Sequence, residues 1–408
     1  LSKGWHHVPC RPRITPEVGH KYCLLFFCLV CVVLKVECRP SDEATSLQWT
    51  RKCNAKCRSL AFSVPLLFSP VKSSNFCPNP MPLPAGKVRP QVGPRSQVSS
   101  KVMAEPVKQD KVIDGKAMAQ EVRFEMLAIA DRLHEEYGRR PGLAVVIVGN
   151  RTDSQVYVRN KVKACEECHI LSSKVEIPGD ASQQEIIQQV RTLNADPSIH
   201  GVLVQLPLPP HVDEAAVLDE ISLSKDVDGF HPVNIGLLAL KGREPSATPC
   251  TPAAVMEMLR RSNVVLRGKA AVVVGRSNIV GMPVSLLLLA KDASVQIVHS
   301  QTPVDELEAA VRSADVVVAC AGSPGLVKGQ WVKEGATVID VAINAVDDAS
   351  KKRGYRLTGD VEFDVAVQRA GKISPVPGGV GPMTIAMLMR NTVTLAAKQL
   401  QEANDKAA

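Results

Sequence analysis

From about Val112 onward, apolar positions along the chain alternate between two rhythms. Short, almost unbroken runs at 143–148, 174–177, 201–205, 270–274, 294–298, 315–319 and 336–340 read as strands. Between several of them, segments with helical spacing run over 115–137, from Thr152 to the Cys165 region, over 182–193 and over 284–290, and a last one covers 385–402. Continuous apolar strands separated by helices predict a parallel sheet covered on both faces, because an exposed face would show alternation. Local signals mark the joints: Gly138 closes the first helix, Pro252 sits just inside the helix that starts near Cys250, and Thr152 with Gln155 has the capping-box spacing.

Residues 1–102 break this rhythm. They hold 15 Lys/Arg against 4 Asp/Glu, whereas the remaining 306 residues hold 34 against 37. The overall charge of +8 therefore belongs to the leader, and the α/β part has no basic excess for nucleic acid. Eight of the 12 cysteines also lie there, leaving Cys165, Cys168, Cys250 and Cys320, a usage that fits a reducing compartment. The apolar run 23–34 has the length of a signal h-region and is too short to span a bilayer, so no stable membrane insertion is expected. Residues 51–102 lack Asp and Glu and are rich in Ser and Pro, as transit segments are. Two readings stand: a targeting or disordered leader that leads to a mitochondrion or plastid, or upstream sequence with synthesis starting at Met81 or Met103. A start at Met103 makes the protein cytoplasmic.

The run 270–274 ends in Gly275-Arg276-Ser277-x-x-x-Gly281-x-Pro283 and feeds an apolar helix. A strand–turn–helix of this kind places helix N-terminal amides where a dinucleotide phosphate sits, although the spacing departs from Gly-x-Gly-x-x-Gly. The next strand ends in His299-Ser300-Gln301-Thr302, with no carboxylate to take a ribose 2′-hydroxyl. A neutral Ser300 and the cation of Arg276 favour a 2′-phosphate, hence NADP. In the first half, Ser154, Tyr157 and Lys161 share one helix face; a solvated amphipathic face is the bland alternative. Gln205 ends a strand before Leu206-Pro207, where ligands bind in open α/β sheets. Lys225-Asp226-Val227-Asp228-Gly229-Phe230-His231 reads as an Asx-type turn in which His231 is structural. Cys165-x-x-Cys168-His169 matches a haem-attachment string, yet it lies in an amphipathic helix with no second Cys/His pair, and no metal is expected. Pro377, Gly378 and Gly379 belong to a rigid loop whose amides suit a polar ligand edge or a crossing between domains.

Taken in order, Tyr157-x-x-x-Lys161, 204–209 (VQLPLP), 225–229 (KDVDG), 249–252 (PCTP), 275–283 and 375–384 resemble the bifunctional methylenetetrahydrofolate dehydrogenase/methenyltetrahydrofolate cyclohydrolase family, and the likeness runs from about Val112 to Gln399. The resemblance implies two α/β domains around a cleft: a folate-binding catalytic domain over 110–245, and an NADP-binding, Rossmann-like, doubly wound sheet over 246–375. The C-terminal helix 385–402 returns to the first domain. It implies catalytic roles for Lys161, Tyr157, Gln205 and Asp228, with Ser154, Tyr157, Asp228, Pro377, Gly378 and Gly379 on the substrate. Gly275, Arg276, Ser277, Ser300, Thr302 and Ile343 would lie along the cofactor. It also implies tetrahydrofolate derivatives as ligands and a homodimer, with a monofunctional dehydrogenase of the same family as the alternative. Ala342 stands where relatives commonly have Gly, which would tighten the nicotinamide wall.

Overall fold

Seven successive buried residues make β1 (Gly142–Val148) the centre of the first sheet. In the computed structural model, which describes residues 109–407 except 352–353, β1 follows α1 (Gly115–Tyr137) and precedes α2 (Thr152–Glu167), β2 (Leu171–Ile177), α3 (Gln183–Ala195) and β3 (Gly201–Val204). The leader and its Met81 and Met103 lie outside the described residues. The strands are parallel in the order β2-β1-β3. Alternate side chains of β1 serve different layers, as a strand's two-residue period dictates. Leu143, Val145 and Ile147 pack with α1 and α2, while Ala144, Val146 and Val148 pack with Ile186, Ile187 and Val190 of α3. Ser182 caps α3 in a full capping box with Glu185, and two short helices, α4 (Glu214–Leu218) and α5 (Pro232–Leu238), complete this half.

The second half repeats the device. It contains α6 (Cys250–Arg261), β4 (Ala270–Val274), α7 (Gly281–Ala290), β5 (Ser294–Val298), α8 (Val304–Ser313), β6 (Val316–Ala319) and β7 (Thr337–Asp340). A hairpin of β8 (Asn344–Asp347) and β9 (Tyr355–Thr358) follows, then α9 (Phe363–Arg369), β10 (Lys372–Ile373) and α10 (Val380–Ala407). The five parallel strands run β10-β7-β6-β4-β5. Ala271 and Val273 pack with α6 and α7, and Val272 and Val274 with α8 and α9, so the sheet is doubly wound. From β4 the chain steps first to β5 and then back across to β6. That reversal opens a crevice beyond the carboxyl ends of β4 and β6.

The last helix joins the two halves. It packs on α1, α6 and α2, and its Met383, Met387 and Leu388 belong to one apolar cluster with residues of both sheets. A charged girdle reinforces the same junction. Arg260, Arg261 and Arg390 converge on buried Glu257, and Arg261 reaches on to Glu121 and Glu125 of α1. Burial alone would push the Glu257 carboxyl up, but hydrogen bonds from the three arginines outweigh it and hold it well below the usual carboxylate range.

Two local expectations change. The cap position of α2 falls on Arg151, with no side-chain cap bond, and Gln155 instead accepts a hydrogen bond from Lys174 Nζ at 3.3 Å. The long partner on the neighbouring strand claims the amide that the capping box needed. The final helix begins at Val380, five residues before the expected start, because Gly381 and Pro382 are tolerated in a first turn whose amides lack helical partners.

Candidate active site

At the carboxyl end of the first sheet, Lys161 Nζ donates to Gln205 Oε1 at 2.9 Å. Gln205 lies just past β3, where Nε2 donates to Leu206 O at 2.8 Å, so both ends of its amide are fixed. Tyr157 sits one turn before Lys161, is 44% exposed, and lines a groove with Asn160, Gly381, Pro382 and Ile385. Ser154 is buried on the same helix.

The two aspartates of the 225–229 turn divide the labour. Asp226 is buried and structural: Oδ1 accepts from the Gly229 and Phe230 amides, and Oδ2 from the His231 amide and Asn234 Nδ2. That is the Asx-type turn expected from sequence. His231 caps α5 through Nδ1 at 3.2 Å from the Val233 amide, a structural role. Asp228 faces Lys161 and the Cys250 thiol; burial pushes its carboxyl up to about 6, against the pull of the Lys161 ammonium. The residue that holds this turn was not anticipated. Asn391, buried in α10, donates through Nδ2 to Val227 O and Thr248 O, both at 2.8 Å. One amide in the final helix thus fastens the Asp228 loop to the start of α6.

Pro377, Gly378 and Gly379 lie at the N-terminus of α1, with the Gly379 carbonyl against Gly115 and Gly378 beside Lys116. They lead directly into the Gly381-Pro382 wall of the Tyr157 groove.

Most of the predicted cofactor residues gather in a separate cleft of about 370 Å³ at the β4/β6 crossover. Gly275, Arg276 and Ser277 follow β4, His299, Ser300 and Thr302 follow β5, and Cys320, Ala321 and Ser323 follow β6. Val304, Leu307 and Leu326 supply apolar surface. The backbone is cut to fit. Gly275 has φ +130°, and a Cβ there would meet the Cys320 carbonyl oxygen at 2.5 Å; a Cβ on Gly281 would strike the Gly275 carbonyl. Ser277 Oγ accepts from the Val280 and Gly281 amides at 3.2 and 3.3 Å, so two N-terminal amides of α7 are already capped and the hydroxyl itself shapes the turn. Thr302 closes the β5 end through His299 N–H to Oγ1 at 3.0 Å. Ile343 is the exception: it lies outside the residues lining this cleft and faces Gly381 at the start of α10. His299, Cys320, Ala321 and Ser323 were missed from sequence; the switch-point rule applied to the third strand finds the last three, and His299 sits at the end of the second.

The haem-like string has another explanation. Cys165 and Cys168 are buried, and desolvation pushes both thiols up to about 12. His169 is turned to Asp131, 2.7 Å away. Among the described residues no group of three His, Cys, Asp or Glu side chains is placed to hold a metal ion, and no helix is long and apolar enough to cross a membrane.

An open, doubly wound sheet with a glycine-cut switch-point cleft, together with a lysine–glutamine pair at the end of a second parallel sheet, defines a nucleotide-dependent α/β enzyme. The family model for the tetrahydrofolate dehydrogenase/cyclohydrolase catalytic domain matches residues 113–228, and that for the NAD(P)-binding domain of the same family matches 249–400. Bifunctional protein FolD 2 of Arabidopsis thaliana is 56% identical over 72% of this chain and 97% of its own length. The chloroplastic Bifunctional protein FolD 4 of the same plant is 53% identical over 70% of this chain and 79% of its own length. Among solved structures, the Trypanosoma brucei methylenetetrahydrofolate dehydrogenase-cyclohydrolase, complexed with NADP and an inhibitor, superposes with a TM-score of 0.69. It is 49% identical and covers 70% of this chain and 97% of that one. The chain belongs to the tetrahydrofolate dehydrogenase/cyclohydrolase family.

Proposed function

We propose that one site, built on Tyr157, Lys161, Gln205 and Asp228, carries both activities of this bifunctional enzyme. It oxidises 5,10-methylenetetrahydrofolate with NADP and hydrolyses the methenyl product to 10-formyltetrahydrofolate. In this reading a folate-binding domain covers 110–245 with the final helix, and a cofactor domain covers 246–375. The observation that carries the reading is the Lys161–Gln205 hydrogen bond at 2.9 Å, one helical turn from Tyr157.

The oxidation asks little acid–base work of the protein. The carbon that loses hydride is flanked by two nitrogens whose lone pairs stabilise the cation, so the site has to orient the substrate and exclude water. NADP, when bound, supplies the hydride acceptor. Its fit rests on the glycine-cut turn at Gly275 and on Arg276 beside Ser300, a cation and a neutral donor suited to a 2′-phosphate. Tyr157 offers a face for the aminobenzoyl ring, and the Asp228 carboxylate accepts N–H groups from the pterin edge. Ser154 and the loop of Pro377, Gly378 and Gly379 would complete the substrate side, and Ile343 would contact the cofactor from its place against Gly381.

Hydrolysis needs more. Water adds to the cationic methenyl carbon and gives up both its protons: one is released, and the other reaches the ring nitrogen as the carbon–nitrogen bond breaks and the carbonyl forms. Lys161 Nζ is the group that moves these protons, and Gln205 sets its direction. A Gln205→Leu variant frees the ammonium without removing it. We expect it to fold and bind NADP normally while cyclohydrolase activity falls by about tenfold or more; an unchanged rate in steady-state assays contradicts the reading.

The basic, acid-free segment 51–102 supports delivery to an organelle when it is translated, as does the likeness to a chloroplastic relative. The homodimer is part of this reading and rests on the family resemblance.

A further inference from the structure

One buried carboxylate in the cofactor half is surrounded by main chain. Asp360 has no exposed surface and lies in the turn between β9 and α9. Its Oδ2 accepts from the Ala321 amide at 2.6 Å and the Gly322 amide at 3.0 Å. Its Oδ1 accepts from the Ser323 amide at 2.7 Å and from Asn344 Nδ2 at 3.0 Å. Three consecutive amides aimed at one anion form a concavity of the kind that binds phosphates. Here the chain's own carboxylate fills it.

The turn that carries Asp360 is itself pinned. Asp340, at the end of β7, accepts the Asp360 and Val361 amides at 3.0 and 2.9 Å. The Val327 amide donates to Asp360 O at 2.9 Å, and the Glu362 amide returns to Val327 O at 3.0 Å. Of the two segments that Asp360 grips, one lines the cleft and the other adjoins Ile343, the expected cofactor contact just outside it. Ala321 and Ser323 line the switch-point cleft, and Asn344 follows Ile343 directly. Asp360 does not line the cleft, so any effect on a ligand passes through these walls.

We propose that Asp360 is a positioning residue for the dinucleotide. Its carboxylate holds the Ala321–Ser323 loop and the Ile343–Asn344 segment in the shape that admits NADP, and it makes no contact with the cofactor. The inference rests on the NADP assignment above. It also predicts a division that a general stabilising role does not produce: the Lys161–Gln205 half, which hydrolyses without a dinucleotide, is left intact.

The test uses the full chain carrying Asp360→Asn or Asn344→Ala, each checked for folding by circular dichroism and thermal melting. In Asp360→Asn an amide group faces donors that require an acceptor, so the NADP dissociation constant, read by calorimetry, rises by about tenfold or more. Asn344→Ala removes one of four donors and raises it by roughly threefold. The KM for NADP follows, kcat at saturating NADP stays within about twofold, and cyclohydrolase activity assayed without dinucleotide is retained. An unchanged NADP dissociation constant in a folded variant overturns the proposal, as does an equal fall in both activities. If Asp360→Asn fails to fold, Asn344→Ala decides on its dissociation constant alone. Loss of either activity in the unmodified protein would instead count against the functional reading on which the proposal rests.

Discussion

Asp228 shows how function and stability oppose each other at single residues. Its carboxyl ionises near 6, against 3.8 for an ordinary aspartate, chiefly because it is desolvated. Between those two values the unfolded chain has released the proton and the folded chain has kept it. Stability therefore falls as pH rises through that window and is level above it. In the proposed role ionised Asp228 accepts from the pterin edge, so the KM for methylenetetrahydrofolate should rise as pH falls below about 6. In Asp228→Asn that pH dependence should vanish, and the melting temperature at pH 7.5 should exceed that of the unmodified protein. A lower melting temperature at pH 7.5 contradicts this account of the site. The family resemblance picked out Asp228 and Lys161 through their motifs, but turn chemistry alone could not separate Asp228 from Asp226. Both are short acids in one turn, and only the three amides and the Asn234 side chain around Asp226 reveal which one is committed to the backbone.

At the level of elements, strands were the most legible feature, because β1, β3, β4, β6 and β7 are buried on both faces and their apolar runs are unbroken. The β8–β9 hairpin was not legible: its exposed, mixed residues carry no apolar period. The final helix was visible as a helix, but its use as a clamp was not, since a lone asparagine in an apolar segment signals nothing about its partners. Asn391 matters because it donates to both Val227 O and Thr248 O, the former shared with the Cys250 thiol. Asn391→Leu should destabilise the fold by about 1–3 kcal/mol in denaturant unfolding, the cost of two lost hydrogen bonds. It should also raise the folate KM more than the NADP KM, because the loosened turn carries Asp228. Equal effects on both constants would show that Asn391 supports the whole junction rather than that turn.

Across the whole molecule, two doubly covered sheets meet along one helix, and the chemistry is divided between them. The first sheet ends beside the lysine, glutamine and aspartate proposed to handle the folate; the second ends in the crevice proposed for the dinucleotide. This arrangement was readable from the order of motifs. The shared core around Met383, Met387 and Leu388 was not, since no periodicity reports which helix two sheets hold in common. On the proposed division, a single lysine makes the enzyme a hydrolase while the dehydrogenase half binds its cofactor independently. The direct test is Lys161→Ala, with cyclohydrolase turnover and NADP binding measured on the same folded sample. The account predicts a loss of hydrolysis of about a hundredfold or more with the NADP dissociation constant unchanged. Hydrolysis retained at its original rate in that variant would contradict it.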